Sequence, residues 1–377
     1  MPVRIQRAYA AVQFAVVQFA VFQFAIVQFV VIAALTSVAG PAMAQSAGRG
    51  DEPIAPHAVL FIYHRFGESQ IPSTNIRLDQ FEGHLRELQD GGYNVLPLAD
   101  IVAALQGGET LADRTVGISI DDAYASVYTN AWPRLRAANF PFTIFIATDS
   151  IDRKAPGFMS WDQLRELSQS GLVTIGSQTA SHPHMPLMDE AHNAEELAKS
   201  AARIEAEIGK PPVLFAYPYG EMSLTVKAQV RKAGYAAAFG LHSGVVHAGE
   251  DFFYLPRFSL NERLGDMTRF RMAARALPIP IDDVTPTDPF LAGENPPAVG
   301  FTLTSDLRNV ERMGCYYADQ ILKIERLDAR RIEVRIPAAF PPGRARLNCT
   351  LPAGGDRWRW YGTQFFVPFP QGENPPD

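Results

Sequence analysis

Short apolar runs alternate with amphipathic segments through the first two thirds of the chain. The runs 57–63, 93–96, 115–120, 142–146, 173–176, 213–217 and 236–239 predict strands that are covered on both faces. Apolar residues spaced three or four apart predict helices over 78–90, 98–106, 126–138, 161–170, 191–208 and 224–233. About seven such units indicate an α/β fold, a (β/α)7-like distorted barrel over 57–277.

The pattern changes after the predicted barrel. Residues 278–297 are rich in Pro and Asp and have little to bury, which predicts a linker. Beyond it, runs at 299–304, 320–326, 331–336, 344–350 and 363–367 are punctuated by Gly and Pro. These runs predict a small antiparallel β domain over 298–370.

The N-terminus predicts export. Arg4 and Arg7 precede an apolar run built on a repeated five-residue unit, and Ala42-Met43-Ala44 follows it. This order is typical of a signal peptide over 1–44, followed by a linker over 45–56, and favours a periplasmic or secreted protein. The run is also long enough to span a bilayer, so an uncleaved membrane anchor stays open, and a membrane is expected as a partner only in that case.

Composition excludes some partners and suggests a crosslink. A net charge of -6 and no basic run interleaved with aromatics argue against nucleic acid. The two cysteines, Cys315 and Cys349, are an even count in an exported chain and favour a disulfide, the alternative being two separate buried thiols.

Two adjacent carboxylates, Asp121 and Asp122, end one of the predicted buried strands. Neighbouring side chains at a strand end diverge, so that one carboxylate can bind a cation while the other accepts a proton. The alternative for such a pair before a helix is an N-cap.

A second candidate site follows the predicted strand 173–176. His182 and His184 offer imidazoles to a divalent ion such as Zn²⁺, and Gln178 offers an amide oxygen. A surface position is the alternative for either histidine.

Two further strand ends carry polar groups. In the turn Phe215-Ala-Tyr217-Pro-Tyr219-Gly220, the two tyrosines are candidate substrate contacts, and the backbone N–H of Tyr219 could face a developing oxyanion. His64 follows the first strand and could act as a general acid. The alternatives are an aromatic-lined turn and a surface histidine.

These four elements, in this order over about 57–260, resemble the polysaccharide deacetylases, particularly the branch that acts on poly-N-acetylglucosamine. The resemblance implies that Asp121 is the base and Asp122 a metal ligand, with Ala123 where the family usually has Gly. The family's His-Ser/Thr-x-x-His motif puts both histidines on the metal; here Gln178 takes the first position and His182 the second.

The remaining motifs imply further roles. The family's Arg-Pro-Pro-Tyr-type motif matches the turn at Tyr219 but loses its Arg, whose role of orienting the base Arg257 could take over in Leu255-Pro-Arg257. His64 falls on the family's acid. The resemblance implies a divalent metal, Zn²⁺ first and Co²⁺ or Ni²⁺ as alternatives.

The sequence therefore predicts an exported, metal-dependent deacetylase that hydrolyses N-acetyl or O-acetyl groups of a polysaccharide. Gln178 leaves three outcomes open: it ligates through oxygen, His184 replaces it, or the site holds little metal. In the last case the chain is a catalytically impaired glycan-binding protein. A separate alternative is an envelope scaffold in which the β domain docks a partner. Trp358 and Trp360 alternate along a predicted strand and either stack on sugar rings, form the core of a small β sandwich or pack on the neighbouring domain.

Overall fold

The computed structural model describes residues 55–370. The predictions of a signal peptide over 1–44 and of most of the linker that follows it lie outside these residues. Within residues 55–370 no helix combines the length and apolar character that crossing a bilayer requires.

The first part of the chain alternates strands and helices. In chain order they are β1 (His57–Tyr63), β2 (Arg65–Phe66), β3 (Asn75–Ile76), α1 (Leu78–Asp90), β4 (Asn94–Val95), α2 (Leu98–Gln106), β5 (Thr115–Asp121), α3 (Trp132–Ala138), β6 (Phe142–Ile146), α4 (Thr148–Asp152), α5 (Trp161–Gln169), β7 (Val173–Ser177), α6 (Glu190–Ile208), β8 (Leu214–Ala216), α7 (Leu224–Lys232), β9 (Ala237–Phe239), β10 (Val246–His247), β11 (Phe258–Ser259) and α8 (Met267–Ala274). Val127–Ala131 forms a π-helical turn before α3, where one longer helix was predicted. Met185–Leu187 and Pro218–Gly220 are 3₁₀ turns.

The first sheet has the order β10-β1-β5-β6-β7-β8-β9, with β4 on β5 and β11 on β1. Every residue of β1, β5 and β6 is buried, as expected of strands covered on both faces. The ends of the sheet approach each other through residues 255–259. Leu255 exchanges backbone hydrogen bonds with the β9 end, and β11 pairs with β1. The predicted curled α/β barrel is confirmed.

Local signals set the helix ends that flank the site. The Asp189 side chain accepts a hydrogen bond from the His192 N–H at 2.7 Å and caps the start of α6. Gly209, with φ 83°, ends the same helix in the left-handed region that glycine adopts without strain. Both signals are legible in the sequence, and α6 begins within one residue of its predicted start.

The second part of the chain is antiparallel except at one edge. Its strands are β12 (Leu277–Pro278), β13 (Ile281–Thr285), β14 (Val299–Leu303), β15 (Gly314–Tyr317), β16 (Gln320–Arg326), β17 (Arg331–Arg335), β18 (Gly343–Gly354) and β19 (Arg357–Val367), with a 3₁₀ turn at Val310–Arg312. The sheet order is β12-β19-β18-β15-β16-β17-β14-β13, and only β12 pairs in parallel. The predicted β domain is confirmed.

The prediction that 278–297 is a free linker is wrong. β13 lies inside this segment and pairs with β14, and Ile279 and Leu291 are buried in the core of the second sheet. The Pro and Asp content concealed a strand, because an edge strand tolerates both residues. The domain limits themselves stay a prediction.

The predicted disulfide is confirmed. Cys315 on β15 and Cys349 on β18 are bonded and stand directly opposite each other in the ladder. Both are fully buried, so that the crosslink lies in the core of the second sheet.

Trp360 belongs to the contact between the two sheets. Its ring meets Phe258 edge-on at a centroid distance of 5.2 Å, and its Nε1 donates to Asn348 at 3.1 Å. Trp358 is 36% exposed. Packing on the neighbouring domain therefore accounts for Trp360.

A buried histidine gives the barrel a pH-dependent stability. Desolvation lowers the pKa of His84 to about 4, although its hydrogen bond to the Gly265 carbonyl acts in the opposite direction. The unfolded chain therefore binds a proton that the folded chain lacks between about pH 6.5 and about pH 4. Stability should fall by about 3 kcal/mol as the pH is lowered through this window. We expect His84→Gln to show a shallower loss in urea unfolding over the same range; equal slopes would contradict this assignment.

Candidate active site

The site lies where the carboxyl ends of neighbouring parallel strands meet. β1 ends before His64, β5 ends at Asp121, β7 ends before Gln178, and β8 ends before the turn that carries Tyr219. In a parallel sheet these ends share one edge, so residues far apart in sequence converge there. The structure therefore places the four predicted elements on one edge of the first sheet.

Asp121 is held in a buried ion pair. The Arg257 guanidinium donates to both carboxylate oxygens, at 2.7 and 2.9 Å, and neither side chain is exposed. Arg257 also donates to the Ser119 hydroxyl at 3.0 Å and to the Gly240 carbonyl at 3.0 Å. The structure thus brings Arg257 to the carboxylate as expected. Arg257 lies in the segment 255–259, which bridges β9 and β1.

Asp122 and His182 form the neighbouring pair. His182 Nε2 lies 3.7 Å from Asp122 Oδ1, and both side chains are partly exposed. Both residues have left-handed backbones, with φ of 74° and 63°, as does Ala123, with φ 52°. A glycine would adopt this conformation without steric cost, which explains why the family usually has Gly where Ala123 stands.

Desolvation favours the neutral form of His182, which can donate a lone pair. Its pKa is lowered, chiefly by desolvation, with His64 and His184 acting in the same direction and Asp122 and Asp121 acting against it. His64, which is partly buried, directly follows β1, and β1 pairs in parallel with β5, the strand that ends at Asp121. His64 therefore lies at the same edge of the sheet as the pair.

Gln178 is buried beside Asp121. Its Nε2 donates to Asp121 Oδ2 over a long 3.4 Å, and it is only 2% exposed. Within residues 55–370 its Oε1 has no hydrogen-bond partner. A buried amide oxygen without a partner is costly, and this one is available to a ligand in the site.

His184 is held by a glutamate and a tyrosine. Its Nδ1 lies 2.6 Å from a carboxylate oxygen of Glu221, and its ring stacks on Tyr219 at 4.1 Å. The His182 ring meets the edge of the same Tyr219 ring at 4.4 Å. The proposed substitution of His184 for the missing metal imidazole therefore has no support in its position.

The two tyrosines of the turn have different surroundings. Tyr219 has a left-handed backbone, with φ 58° and ψ 5°, and its ring stands between the two histidines. Tyr217 is fully buried, and its hydroxyl donates to the Phe253 carbonyl at 2.8 Å. The expectation that Tyr217 contacts substrate is therefore wrong, because its polar groups serve the core.

Two buried glutamates support the site and were not predicted. Glu196, on α6, accepts hydrogen bonds from the Ala180 and Ser181 backbone N–H groups at 3.0 and 2.7 Å. Glu221 holds His184 as described. Glu196 is detectable in principle, because it occupies the apolar face of α6 next to Leu197. Glu221 follows a turn and gives no periodic signal.

Comparison with known proteins agrees with this arrangement. Residues 108–238 match the family described as polysaccharide deacetylase, a span that includes Asp121, Gln178 and Tyr219. The chain carries a polysaccharide deacetylase domain. It is 26% identical over 213 residues to the poly-β-1,6-N-acetyl-D-glucosamine N-deacetylase of Staphylococcus aureus (strain N315), covering 54% of this chain and 73% of that protein.

Solved structures share the fold of the deacetylase domain. The deacetylase PplD of Streptococcus pyogenes, in complex with acetate, superposes with a TM-score of 0.53 and 20% identity, over 56% of this chain and 95% of that chain. IcaB of Ammonifex degensii gives a TM-score of 0.52 and 24% identity, over 59% and 98%.

The deacetylase domain offers a reduced set of metal donors. Within residues 55–370 no cluster of three or more His, Cys, Asp or Glu side chains could hold a metal ion. What the site offers is the Asp122 carboxylate, the His182 imidazole and the unpartnered Gln178 amide oxygen. These donors fit a divalent ion that is bound weakly, since a neutral amide replaces an imidazole.

Proposed function

We propose that this protein is an exported, metal-dependent hydrolase that removes acetyl groups from a polysaccharide, N-acetyl groups first and O-acetyl groups as the alternative. The observation that carries the proposal is the buried Asp121–Arg257 pair beside Asp122 and His182. Metal-assisted hydrolysis of an amide uses a base that is held next to the bound cation, and this arrangement would supply one. The named activity of the S. aureus relative supports the same chemistry.

In this proposal Asp121 is the general base. Arg257 occupies one acceptor direction on each of its oxygens and Gln178 donates to Oδ2 as well, so that Oδ1 is the oxygen that keeps a further lone pair for a water proton. The ion pair fixes the carboxylate plane, so the base need not reorganise. His64, near His182, would protonate the leaving amine, and the Tyr219 N–H would stabilise the oxyanion.

Asp122, His182 and Gln178 would hold the metal. When bound, a divalent ion polarises the substrate carbonyl and lowers the pKa of a water molecule. We propose Zn²⁺, with Co²⁺ and Ni²⁺ as alternatives, because imidazole and carboxylate donors suit all three ions.

Acetate release tests the function. The full chain is incubated with oligomers of poly-β-1,6-N-acetylglucosamine and, in parallel, with an O-acetylated glycan, each with Zn²⁺, Co²⁺ or Ni²⁺ and after chelation. We expect metal-dependent acetate release from the N-acetylated oligomer. The absence of acetate from both glycans with all three ions would overturn the proposal.

A glycan-binding protein without catalysis is the second candidate, and Gln178 is the observation that favours it. If the metal is too weakly held, the same edge of the sheet would bind the polymer without cleaving it. Calorimetric titration with the same oligomers separates the two candidates, because binding without acetate release supports only the second.

Gln178→His should restore a stronger metal site. An imidazole replaces a neutral amide among the donors, so we expect Zn²⁺ affinity to rise about 10-fold or more. Competition with a fluorescent zinc indicator measures this affinity without reference to activity. His184→Gln is the matched comparison. Since His184 is bonded to Glu221, this substitution should leave the Zn²⁺ affinity unchanged, and a lower Zn²⁺ affinity would make His184 the ligand.

A further inference from the structure

The second sheet forms part of the wall of the candidate active site. The turn Pro218–Gly220 lies against β18 and β19, and three residues of these strands reach the side chains or backbone of the site. They are Arg344, Gln364 and Phe366. The wall is thus built by residues more than 120 positions away from the turn in sequence.

Gln364 fixes the backbone of the turn. Its Nε2 donates to the Tyr219 carbonyl at 3.0 Å, and its Oε1 accepts from Arg346 Nε at 2.8 Å. It is 1% exposed, so both ends of the amide are used in a buried place. A glutamine satisfied at both ends has one preferred orientation, and its donor is therefore aimed at Tyr219.

Arg344 acts on the side chains of the turn. Its guanidinium carbon lies 5.3 Å from the centre of the Tyr219 ring, and its Nε lies 4.0 Å from the carboxylate of Glu221. The other oxygen of Glu221 is the one bonded to His184, which stacks on Tyr219. Arg344 thereby supplies a positive charge to a buried carboxylate whose other oxygen is bonded to the His184 imidazole.

Tyr219 needs this support because of its backbone. A non-glycine residue in the left-handed region costs about 1–2 kcal/mol and persists only where its surroundings hold it. The turn is only three residues long, and the hydrogen bond from Gln364 on the second sheet to the Tyr219 carbonyl helps to hold its backbone.

We propose that the second sheet completes the active site, and that Gln364 and Arg344 are positioning residues for deacetylation that hold Tyr219 and the Glu221–His184 pair in place. This proposal rests on the proposed function for its kinetic consequence. It also makes the second sheet an integral part of the catalytic unit rather than a separable accessory.

Gln364→Glu tests the backbone contact. The carboxylate still accepts from Arg346 but cannot donate to the Tyr219 carbonyl, so we expect kcat for acetate release to fall about 10-fold or more with a smaller change in KM. Gln80→Glu is the matched control, because Gln80 is also buried, donates to the Glu262 carbonyl at 2.9 Å and accepts from the Arg77 N–H at 3.3 Å. We expect it to lose thermal stability to a similar degree and to keep the wild-type kcat.

Hydrogen exchange separates this proposal from the function on which it rests. Amides of residues 219–221 should exchange about 10-fold faster in Gln364→Glu and at the wild-type rate in Gln80→Glu. If the wild type released no acetate, the proposed function would fail. The difference in exchange between the two variants would still show whether Gln364 positions the turn. Unchanged exchange in Gln364→Glu, or an equal loss of kcat in Gln80→Glu, would overturn the proposal.

Discussion

Asp121→Asn is expected to lower kcat/KM for acetate release by about 10²–10⁴-fold, the usual contribution of a positioned general base. An asparagine amide cannot take up a proton at neutral pH, although it has nearly the size of the carboxylate and its one oxygen can still accept one of the two hydrogen bonds from Arg257. Initial rates on the N-acetylated oligomer, with Zn²⁺ content measured in parallel, check this expectation.

Asp162→Asn is the matched control for the loss of a carboxylate. Asp162 lies in the first turn of α5, with its side chain 88% exposed, and should leave the rate unchanged. A second control addresses folding, because the substitution leaves the buried Arg257 without its negatively charged partner. Circular dichroism and the melting temperature of Asp121→Asn show whether the lost rate exceeds the lost folded fraction. A folded Asp121→Asn protein with nearly wild-type kcat/KM would place the base elsewhere.

The main sheet could be predicted because its strands are long apolar runs. β1 and β6 occupy their predicted residues, and β5 exceeds its prediction by one residue. β10 and β11 were missed, since strands of two residues give little periodicity, although β4, which is as short, was predicted from the run 93–96. Yet β11 closes the sheet and delivers Arg257, so an element invisible to pattern analysis determines the geometry of the site.

The candidate site was predictable to the extent that its residues follow strand ends. Asp121, Asp122, Gln178 and His182 converge because parallel strands share an edge. The direction of His184 could not be predicted, because its partner Glu221 is 37 positions away and belongs to a turn. Gln364 was out of reach for the same reason, since nothing in one sequence says which turn the second sheet covers.

Arg257→Met is expected to have the largest effect on stability. It leaves the Asp121 carboxylate buried without a counter-charge, and breaking such a pair costs about 3–5 kcal/mol in the free energy of unfolding. Arg257→Lys should lose less, although a single ammonium group cannot bond to both oxygens of Asp121 and to the Gly240 carbonyl together. Urea unfolding followed by fluorescence measures both changes.

The double variant shows that the cost comes from an uncompensated charge. In Asp121→Asn/Arg257→Met no charge stays buried at this place. The double variant should therefore lose less free energy of unfolding than the sum of the losses in the two single variants. Arg269→Met serves for comparison, because the partly buried Arg269 guanidinium donates to the carbonyls of Ser259 and Leu264 instead of to a carboxylate. Its removal should cost less than that of Arg257, since neutral acceptors are left behind in place of a carboxylate. Additive losses in the double variant, or equal losses at Arg257 and Arg269, would mean that the Asp121–Arg257 pair is not what holds this edge of the sheet together.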